Sequence, residues 1–444
     1  MSTLSGYRRE VLPNGLRIIG VEDPTVHSVI FMALVHTGPR FEGPGETGLT
    51  HFLEHLLMQG SEKYPSSTRI MREVEDLGGV IDASTMPEYL TASVALHRKH
   101  WDRGLEILSD VLLHPLLDEE EIEQEKQIVA QEIAEHRDRA GRNISASELA
   151  FSLAFKDEPD ESGHRGTLGL LGSFDRQKVL SHYRRFFGPR NMVLCVSGDM
   201  DFDEVVEAVG EQFADADGGE DPGQVRPPAR PGTRRAIYRQ TENMPVAEVV
   251  FGHPTWTIGD ERFHSSRALS ELLGGGMSSR LFTQVREGQR LVYQIQSSLQ
   301  TYSDIGSLST SLKADTDNLV PAVESTLRVM EELAEDGPAE DELERYKETA
   351  RCGTEIMCDR PERVADWFGK QELLVESEHI MTPGEYLEQQ EAITMERLGD
   401  TIEEVLQSDE ARLAVVGPYE DEHEEKLKEA FPAEEVQLPA AGGS

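Results

Sequence analysis

The sequence predicts an α+β fold of two homologous domains, each a mostly antiparallel sheet with helices packed on one face. Strand-like runs come in pairs and helix-like runs follow in groups, whereas an α/β fold would alternate them. Residues 215–235 are rich in Gly, Pro and charge and lack periodicity, so they separate two halves of similar length. The domains are predicted at 1–216 and 236–434, with a linker at 217–235 and a disordered tail at 435–444.

The two halves resemble each other most clearly where they end. "NMVLCVSGDMDFDEVVEAVGEQF" and "ARLAVVGPYEDEHEEKLKEAF" both indicate an apolar strand, a Gly turn and a helix. Gly198 and Gly417 differ by 219 positions, and the same offset aligns Leu49–Leu56 with Ala268–Gly275. A repeat of this length indicates duplicated domains rather than a solenoid.

Short apolar runs predict strands, and longer runs with helical spacing predict helices. In the first half, the expected strands are 15–21, 28–36, 89–96 and 191–197, and the expected helices are 50–58, 67–77, 101–113, 118–139 and 175–186. In the second half, the expected strands are 236–240, 247–252, 292–297 and 307–313.

Composition excludes several classes of function. A formal net charge of −40 argues against a nucleic-acid partner, which needs a basic face. The longest apolar run, Val29–Val35, is seven residues, far short of the ~20 that span a membrane. The N-terminus lacks the basic and apolar regions of a signal peptide, which predicts a cytoplasmic protein. Three cysteines suggest no disulfide framework. The acidic, lysine-poor composition fits either a salt-rich setting or simple solubility.

The stretch "GLTHFLEHLLMQG", residues 48–60, concentrates polar chemistry in an apolar segment. With Thr47 as N-cap and Gly60 after the C-terminus, it predicts a helix with His51 and His55 at i and i+4. Their Cβ atoms would lie ~5–6 Å apart on one face, a spacing that lets two imidazoles bind one Zn²⁺. The alternative is a helix end whose histidines are hydrogen-bonded core residues.

Glu54 shares the histidine face and lies close enough to take a proton from a metal-bound water. A catalytic zinc also needs a third protein ligand. The helix at 118–139 offers many carboxylates, and composition does not choose among them: Glu119, Glu120, Glu121, Glu123, Glu125, Glu132 and Glu135. Glu132 stands out in the apolar context "IVAQEIA", and Glu125, seven residues earlier, shares its helical face.

"HFLEH" followed 77 residues after His55 by Glu132 resembles the inverted-motif (HxxEH) zinc peptidases of family M16. The resemblance extends to "LPNGLRI", "GGVIDAST", "SGDMD" and "GGGMSSRLFTQVREGQRLVY", and the length fits the short, two-domain relatives of mitochondrial processing peptidase and pitrilysin. It implies that His51, His55 and Glu132 bind one Zn²⁺, that Glu54 is the general base and that Glu125 supports the site from outside the ligand set.

The resemblance also implies roles elsewhere in the chain. At the 219-residue offset the four HxxEH-site positions become Ser270, Leu273, Gly274 and Arg351, so one metal site per chain is expected. Arg286 and Tyr293 match a family pair that faces the substrate and donates hydrogen bonds to a peptide carbonyl or oxyanion. The alternative is a surface Arg and a strand-core Tyr.

"GGVIDAST" matches the family's edge strand, where a peptide substrate adds through Ala83, Ser84 and Thr85. The family usually has Asn where this chain has Asp82, which leaves backbone pairing intact. The alternative is an ordinary hairpin strand.

These expectations describe a zinc metalloendopeptidase that hydrolyses peptides or small unfolded polypeptides in a closed chamber. One alternative is a non-catalytic M16-like subunit of a peptidase or assembly complex, and another is a metal-storage or sensing protein. Short members of the family work as dimers. Because this chain carries both the zinc motif and the Arg–Tyr pair, a homodimer is favoured over a heterodimer with an inactive paralogue.

Overall fold

The computed structural model describes residues 6–43, 45–156, 159–225, 232–375 and 380–438. The elements up to residue 225 are as follows. The strands are β1 (Arg8–Val11), β2 (Arg17–Glu22), β3 (Ser28–Val35), β4 (Val80–Thr85), β5 (Leu90–His97) and β6 (Met192–Gly198). The helices are α1 (Leu49–Leu57), α2 (Ser67–Glu75), α3 (Trp101–Leu113), α4 (Glu119–Glu135), α5 (Ala146–Phe155), α6 (Leu168–Gly172), α7 (Arg176–Phe186) and α8 (Phe202–Gln212).

The elements after residue 232 repeat much of this order. The strands are β7 (Arg235–Gln240), β8 (Ala247–Thr255), β9 (Gln294–Thr301), β10 (Gly306–Ala314), β11 (Arg412–Gly417) and β12 (Glu434–Glu435). The helices are α9 (Phe263–Gly274), α10 (Thr316–Asp336), α11 (Glu340–Cys358), α12 (Pro361–Leu374), α13 (Pro383–Glu391), α14 (Met395–Leu406) and α15 (Asp421–Ala430).

Two six-stranded mixed sheets share the order of five equivalent strands, and their outermost strands β1 and β12 come from opposite ends of the halves. The first sheet runs β1-β2-β6-β3-β5-β4, and the second runs β12-β7-β11-β8-β10-β9. In the first, β6 is parallel to β2 and antiparallel to β3, and in the second, β11 is parallel to β7 and antiparallel to β8. The predicted α+β class and the duplication are therefore confirmed.

Helices cover both faces of the first sheet. Val29 and Phe31 on one face join the core under α1 and α3, while Leu34 and Cys195 on the other face pack against Phe368 of α12. Because β6 is buried on both sides, its sequence "MVLCVSG" is continuously apolar rather than alternating. The predicted helices on one face are thus joined by a covering helix from the far end of the chain.

The second sheet is likewise covered by a helix from the other half of the sequence. Leu149 and Leu153 of α5, which belongs to the first half of the sequence, pack against Ile237, Val250 and Ala414 of the second sheet. Each half of the sequence therefore supplies a helix to the sheet formed by the other half.

The chain consequently forms two compact units that are discontinuous in sequence. The first comprises Met1–Ile133, His164–Gln224 and Arg351–Glu388, and the second comprises Ala134–Gly163, Val225–Ala350 and Gln389–Ser444. The predicted linker and tail fall partly outside the described residues, at 226–231 and 439–444. Glu435, assigned to the tail from the sequence, lies in β12, and the backbone N–H of Val436 donates to Ala236 O at 2.8 Å. None of the helices in the described ranges is both long and apolar enough to cross a membrane.

Truncating the covering helix α12 at Phe368 should destabilise the first unit. Phe368 is fully buried, so Phe368→Ala is expected to cost about 3–5 kcal/mol through lost burial and a cavity. The exposed Glu362 on the same helix provides the control, because Glu362→Ala should change stability by less than ~0.5 kcal/mol. Thermal unfolding followed by circular dichroism measures both; equal midpoints would contradict the packing of α12.

Buried His253 on β8 should make stability fall in mild acid. Burial lowers the pKa of His253 to about 4, below the value of about 6.5 in an unfolded chain. The unfolded state therefore takes up a proton first, and stability is lost as pH falls from about 6.5 towards 4, by about 3 kcal/mol in total. His253→Gln should reduce the acid loss in melting curves by the share of His253, because burial also lowers the pKa of His182 and His264 to about 4. Exposed His114→Gln should leave the acid loss unchanged.

Candidate metal centre

Helix α1 begins against a remote carboxylate. Gly48 precedes it with φ 92°, and the backbone N–H groups of Gly48 and Thr50 donate to the Glu42 carboxylate at 2.8 and 2.7 Å. Burial raises the pKa of Glu42 to about 7, although these hydrogen bonds oppose the rise. The predicted cap at Thr47 is wrong because Glu42 satisfies the free N–H groups from outside the helix. The helix also ends at Leu57, before the predicted Gly60.

His51 and His55 lie on one face of α1, next to each other. Their ring centroids are 4.7 Å apart and their planes meet at 70°. The opposite face of the helix is fixed in the core by Phe52, Leu53 and Leu56, all of which are buried. The helical spacing therefore places both imidazoles at the same point of the first unit.

Glu132 of α4 reaches the same point. Its Oε2 atom lies 3.6 Å from His51 Nε2 and 3.7 Å from His55 Nε2. Two ligands at ~2.1 Å from a tetrahedral ion are ~3.4 Å apart, so only small shifts would let all three bind one ion. Within the described residues, no other three His, Cys, Asp or Glu side chains converge in this way.

Two of the apolar neighbours of Glu132 in the sequence lie on the buried face of α4, but the Glu132 side chain itself is not buried. Val129 and Ile133 are buried, but Ile128 is exposed, and the Glu132 side chain itself keeps 36% of its surface. Its position on α4, on the edge of the buried stripe, turns the carboxylate towards the imidazoles rather than into the core.

Glu125 holds His55 from the other side of the ring. It is only 3% exposed, and its Oε1 atom accepts a hydrogen bond from His55 Nδ1 at 2.8 Å. Its Oε2 atom accepts from Gln59 Nε2, also at 2.8 Å. Burial lowers the pKa of His55, but the hydrogen bond to Glu125 and the charge of Glu132 outweigh it and raise the pKa overall. With the proton on Nδ1, the lone pair of Nε2 is directed towards Glu132.

Glu54 of α1 lies close to the edge strand β4. Burial raises the pKa of Glu54, and the nearness of Thr85 opposes the rise. Ala83, Ser84 and Thr85 all belong to β4, which among the described residues pairs with β5 alone and forms the edge of the first sheet. The structure therefore places the acidic residue of the motif beside an open strand edge.

Three residues near the cluster escaped the sequence analysis. Gln59 lies one helical turn beyond His55, and that spacing could have indicated it. His164 stands edge-on to His51, with ring centroids 5.9 Å apart, and Arg165 Nε is 4.0 Å from Glu132 Oε2. No local pattern marks His164 or Arg165, because their proximity arises from tertiary structure.

Arg286 and Tyr293 lie in the second unit. Arg286 belongs to a π-helical turn, Phe282–Gly288, and its guanidinium lies 4.6 Å from the centroid of the Phe282 ring. Tyr293 is 59% exposed rather than buried in a strand core, and its hydroxyl donates to Asp315 Oδ2 at 2.5 Å. That hydrogen bond raises the pKa of the phenol.

Comparison with known proteins identifies the family. Residues 17–162 match the model of the Insulinase (Peptidase family M16) domain, and residues 173–350 match the Peptidase M16 inactive domain. An uncharacterized zinc protease of Streptomyces coelicolor, SCO5738, is 28% identical over 95% of this chain and 92% of its own length. One from Rickettsia felis is 32% identical over 66% of this chain and 70% of its own length.

Solved structures share the fold. A protease from Helicobacter pylori superposes with a TM-score of 0.83 at 19% identity, over 94% of this chain and 99% of that chain. The first half of the periplasmic protease PqqL of Escherichia coli gives a TM-score of 0.74 at 17% identity, over 98% of both chains. Because PqqL is periplasmic, the cytoplasmic location expected for this chain stays a prediction. By its two domain matches and its relatives, the chain belongs to peptidase family M16, as a two-domain member.

Proposed function

We propose that the chain is a zinc-dependent endopeptidase acting on peptides or small unfolded polypeptides. The observation that carries the proposal is the convergence of His51, His55 and Glu132, with Glu54 next to His55 in α1 and close to Thr85 of the edge strand β4. The zinc-protease names of the relatives support the same class of reaction.

Zinc fits the donor set. Two imidazole nitrogens and one carboxylate oxygen are the ligands of many catalytic zinc sites, in which a fourth position stays open. His51, His55 and Glu132 would hold the ion, one per chain. Glu125 and Gln59 would fix His55 in the tautomer that binds metal, since such outer hydrogen bonds orient ligands.

When bound, the zinc supplies Lewis acidity, which polarises a peptide carbonyl and makes a neighbouring water acidic enough to ionise near pH 7. Glu54 accepts the proton of that water and delivers it to the amine that leaves. Burial favours the protonated form of Glu54, so the side chain can both hold and release the proton.

Substrate binding would use the open edge of β4. An extended peptide can pair with a strand edge through its backbone, which gives affinity for unfolded segments with little dependence on sequence. Ala83, Ser84 and Thr85 would provide this pairing, and Thr85 lies near enough to Glu54 to influence its pKa. The pairing does not require the side chain of Asp82.

Arg286 and Tyr293 would complete the reaction site by donating hydrogen bonds to the scissile carbonyl as it gains negative charge. The 59% exposure of Tyr293 supports this role, because an exposed phenol can exchange its hydrogen bond to Asp315 for one to a ligand. In this proposal two copies of the chain form a homodimer that encloses the substrate chamber.

Glu54→Gln tests the reaction directly. The amide cannot accept the proton, so cleavage of quenched peptides should fall by about 10²–10⁴-fold while zinc stays bound. A chelator should abolish cleavage by the wild-type protein, and added zinc should restore it. The control is Glu62→Gln, an exposed residue near the same helix, which should keep full activity. Zinc bound with no cleavage of any peptide would instead support a non-catalytic subunit.

Glu125→Gln tests how the site is held. The amide still fills the space but presents an NH₂ group to one of its two donors, His55 and Gln59, so one hydrogen bond is lost. Zinc affinity, measured by competition with a chelator, should drop about 10–100-fold. Glu120→Gln on the exposed face of α4 is the matched control. Equal affinities for wild-type and Glu125→Gln would show that the pair does not support the metal.

A further inference from the structure

Residues His164–Gly166, here called the return segment, are where the chain re-enters the first unit. The chain leaves that unit after Ile133 and returns at His164. The return segment lies against both the start of α1 and two of the three clustered side chains.

Two glycines dock the return segment on α1. Gly48 and Gly166 both have positive φ, 92° and 76°. A Cβ atom on Gly48 would overlap the carbonyl oxygen of Arg165, and one on Gly166 would overlap the carbonyl oxygen of Thr47. The two backbones are therefore in direct contact, three residues before His51, and only glycine at both positions allows it.

Arg165 extends from this docked backbone to Glu132. Its Nε atom lies 4.0 Å from Oε2, the same oxygen that faces both imidazoles. Glu132 is a long side chain with a third of its surface in water, so it would otherwise sample several rotamers that a metal must then select. The guanidinium therefore lies beside the carboxylate oxygen that faces the histidines.

His164 lies against the remaining histidine of the cluster. Its ring meets that of His51 at 89°, with centroids 5.9 Å apart, in an edge-to-face arrangement. His55 already has Glu125 and Gln59. Each of the three clustered side chains thus has its own neighbour outside the cluster.

We propose that the return segment preorganises the metal centre, with Arg165 as the positioning residue for Glu132 and His164 as the positioning residue for His51. This inference rests on the proposed zinc site and adds residues that the HxxEH motif does not contain. Preorganisation by Arg165 and simple repulsion between Arg165 and the metal ion predict opposite changes in metal affinity when the Arg165 charge is removed. Removing a positive charge near a cation site relieves Coulomb repulsion and so strengthens metal binding, whereas losing a positioning group weakens metal binding.

Arg165→Gln in the full chain decides between these effects. Zinc affinity, measured by chelator competition, should fall at least tenfold, and kcat should fall while KM for a quenched peptide changes little. Arg165→Lys keeps the charge and should restore most of the affinity. The control, Arg345→Gln, removes another Arg with a long ion pair, 3.9 Å to Asp341, and should leave zinc affinity unchanged. Zinc binding by Arg165→Gln as tight as wild-type, or tighter, overturns the role of Arg165.

His164 needs a pair of variants, because a histidine could also bind the metal itself. His164→Phe keeps an aromatic edge against His51 and should retain zinc affinity within about threefold, while His164→Ala should lose about tenfold. Equal losses in both variants would overturn the positioning role and indicate that the imidazole acts as a ligand.

The metal-binding readout separates this inference from the proposed peptidase activity. Weakened zinc binding in Arg165→Gln supports the role of the return segment. If the wild-type protein at the same time cleaves no peptide, the proposed peptidase activity is contradicted. Normal cleavage with unaltered zinc affinity in that variant contradicts the role of the return segment and supports the peptidase activity. A wild-type protein that binds no zinc overturns both.

Discussion

A buried carboxylate fixes the register between the two helices that form the candidate centre. Glu125 on α4, with 3% of its surface exposed, accepts hydrogen bonds from His55 and Gln59 of α1, which satisfy both oxygens of a carboxylate that is shielded from water. Glu132 lies seven residues, about 10 Å, further along α4. The distance spans an imidazole ring, so Glu125 meets one side of His55 and Glu132 the other. If α4 slid along α1, both contacts would be lost together.

The parts that could be predicted from sequence are those set by local periodicity. The spacing of His51 and His55 on a helix and the bounds of Trp101–Leu113 follow from residues close in the chain. Composition left seven glutamates open as the third member of the cluster, and the apolar context of Glu132 together with the family resemblance selected it. The cap from Glu42 and the approach of Arg165 could not be found, because neither leaves a pattern within its own element.

The burial of both faces of the first sheet is indicated by the sequences of its central strands. "MVLCVSG" in β6 and the apolar run in β3 lack the alternation of a half-exposed strand, and that absence indicates packing on two sides. What the sequence did not indicate is the source of the second layer, α12, which lies more than 160 residues beyond β6.

The duplicated fold keeps one cluster and fills the equivalent space in the other unit. Gly274 of α9, at the position corresponding to His55, presses so closely on β9 that a Cβ atom would overlap the backbone nitrogen of Ser297. Restoring a histidine there would require the helix to move away from the sheet. The loss of metal-binding groups in the second unit is therefore built into its packing as well as its sequence.

The excursion of the chain through residues 134–163 starts and ends beside the same centre. Ile133, its last anchor, adjoins Glu132, and His164, its first residue on return, adjoins Arg165. This segment, which contains α5, is therefore joined through the backbone to Glu132 at one end and to Arg165 at the other. The positions of Glu132 and Arg165 thus depend on a segment whose described residues supply no side chain to the cluster.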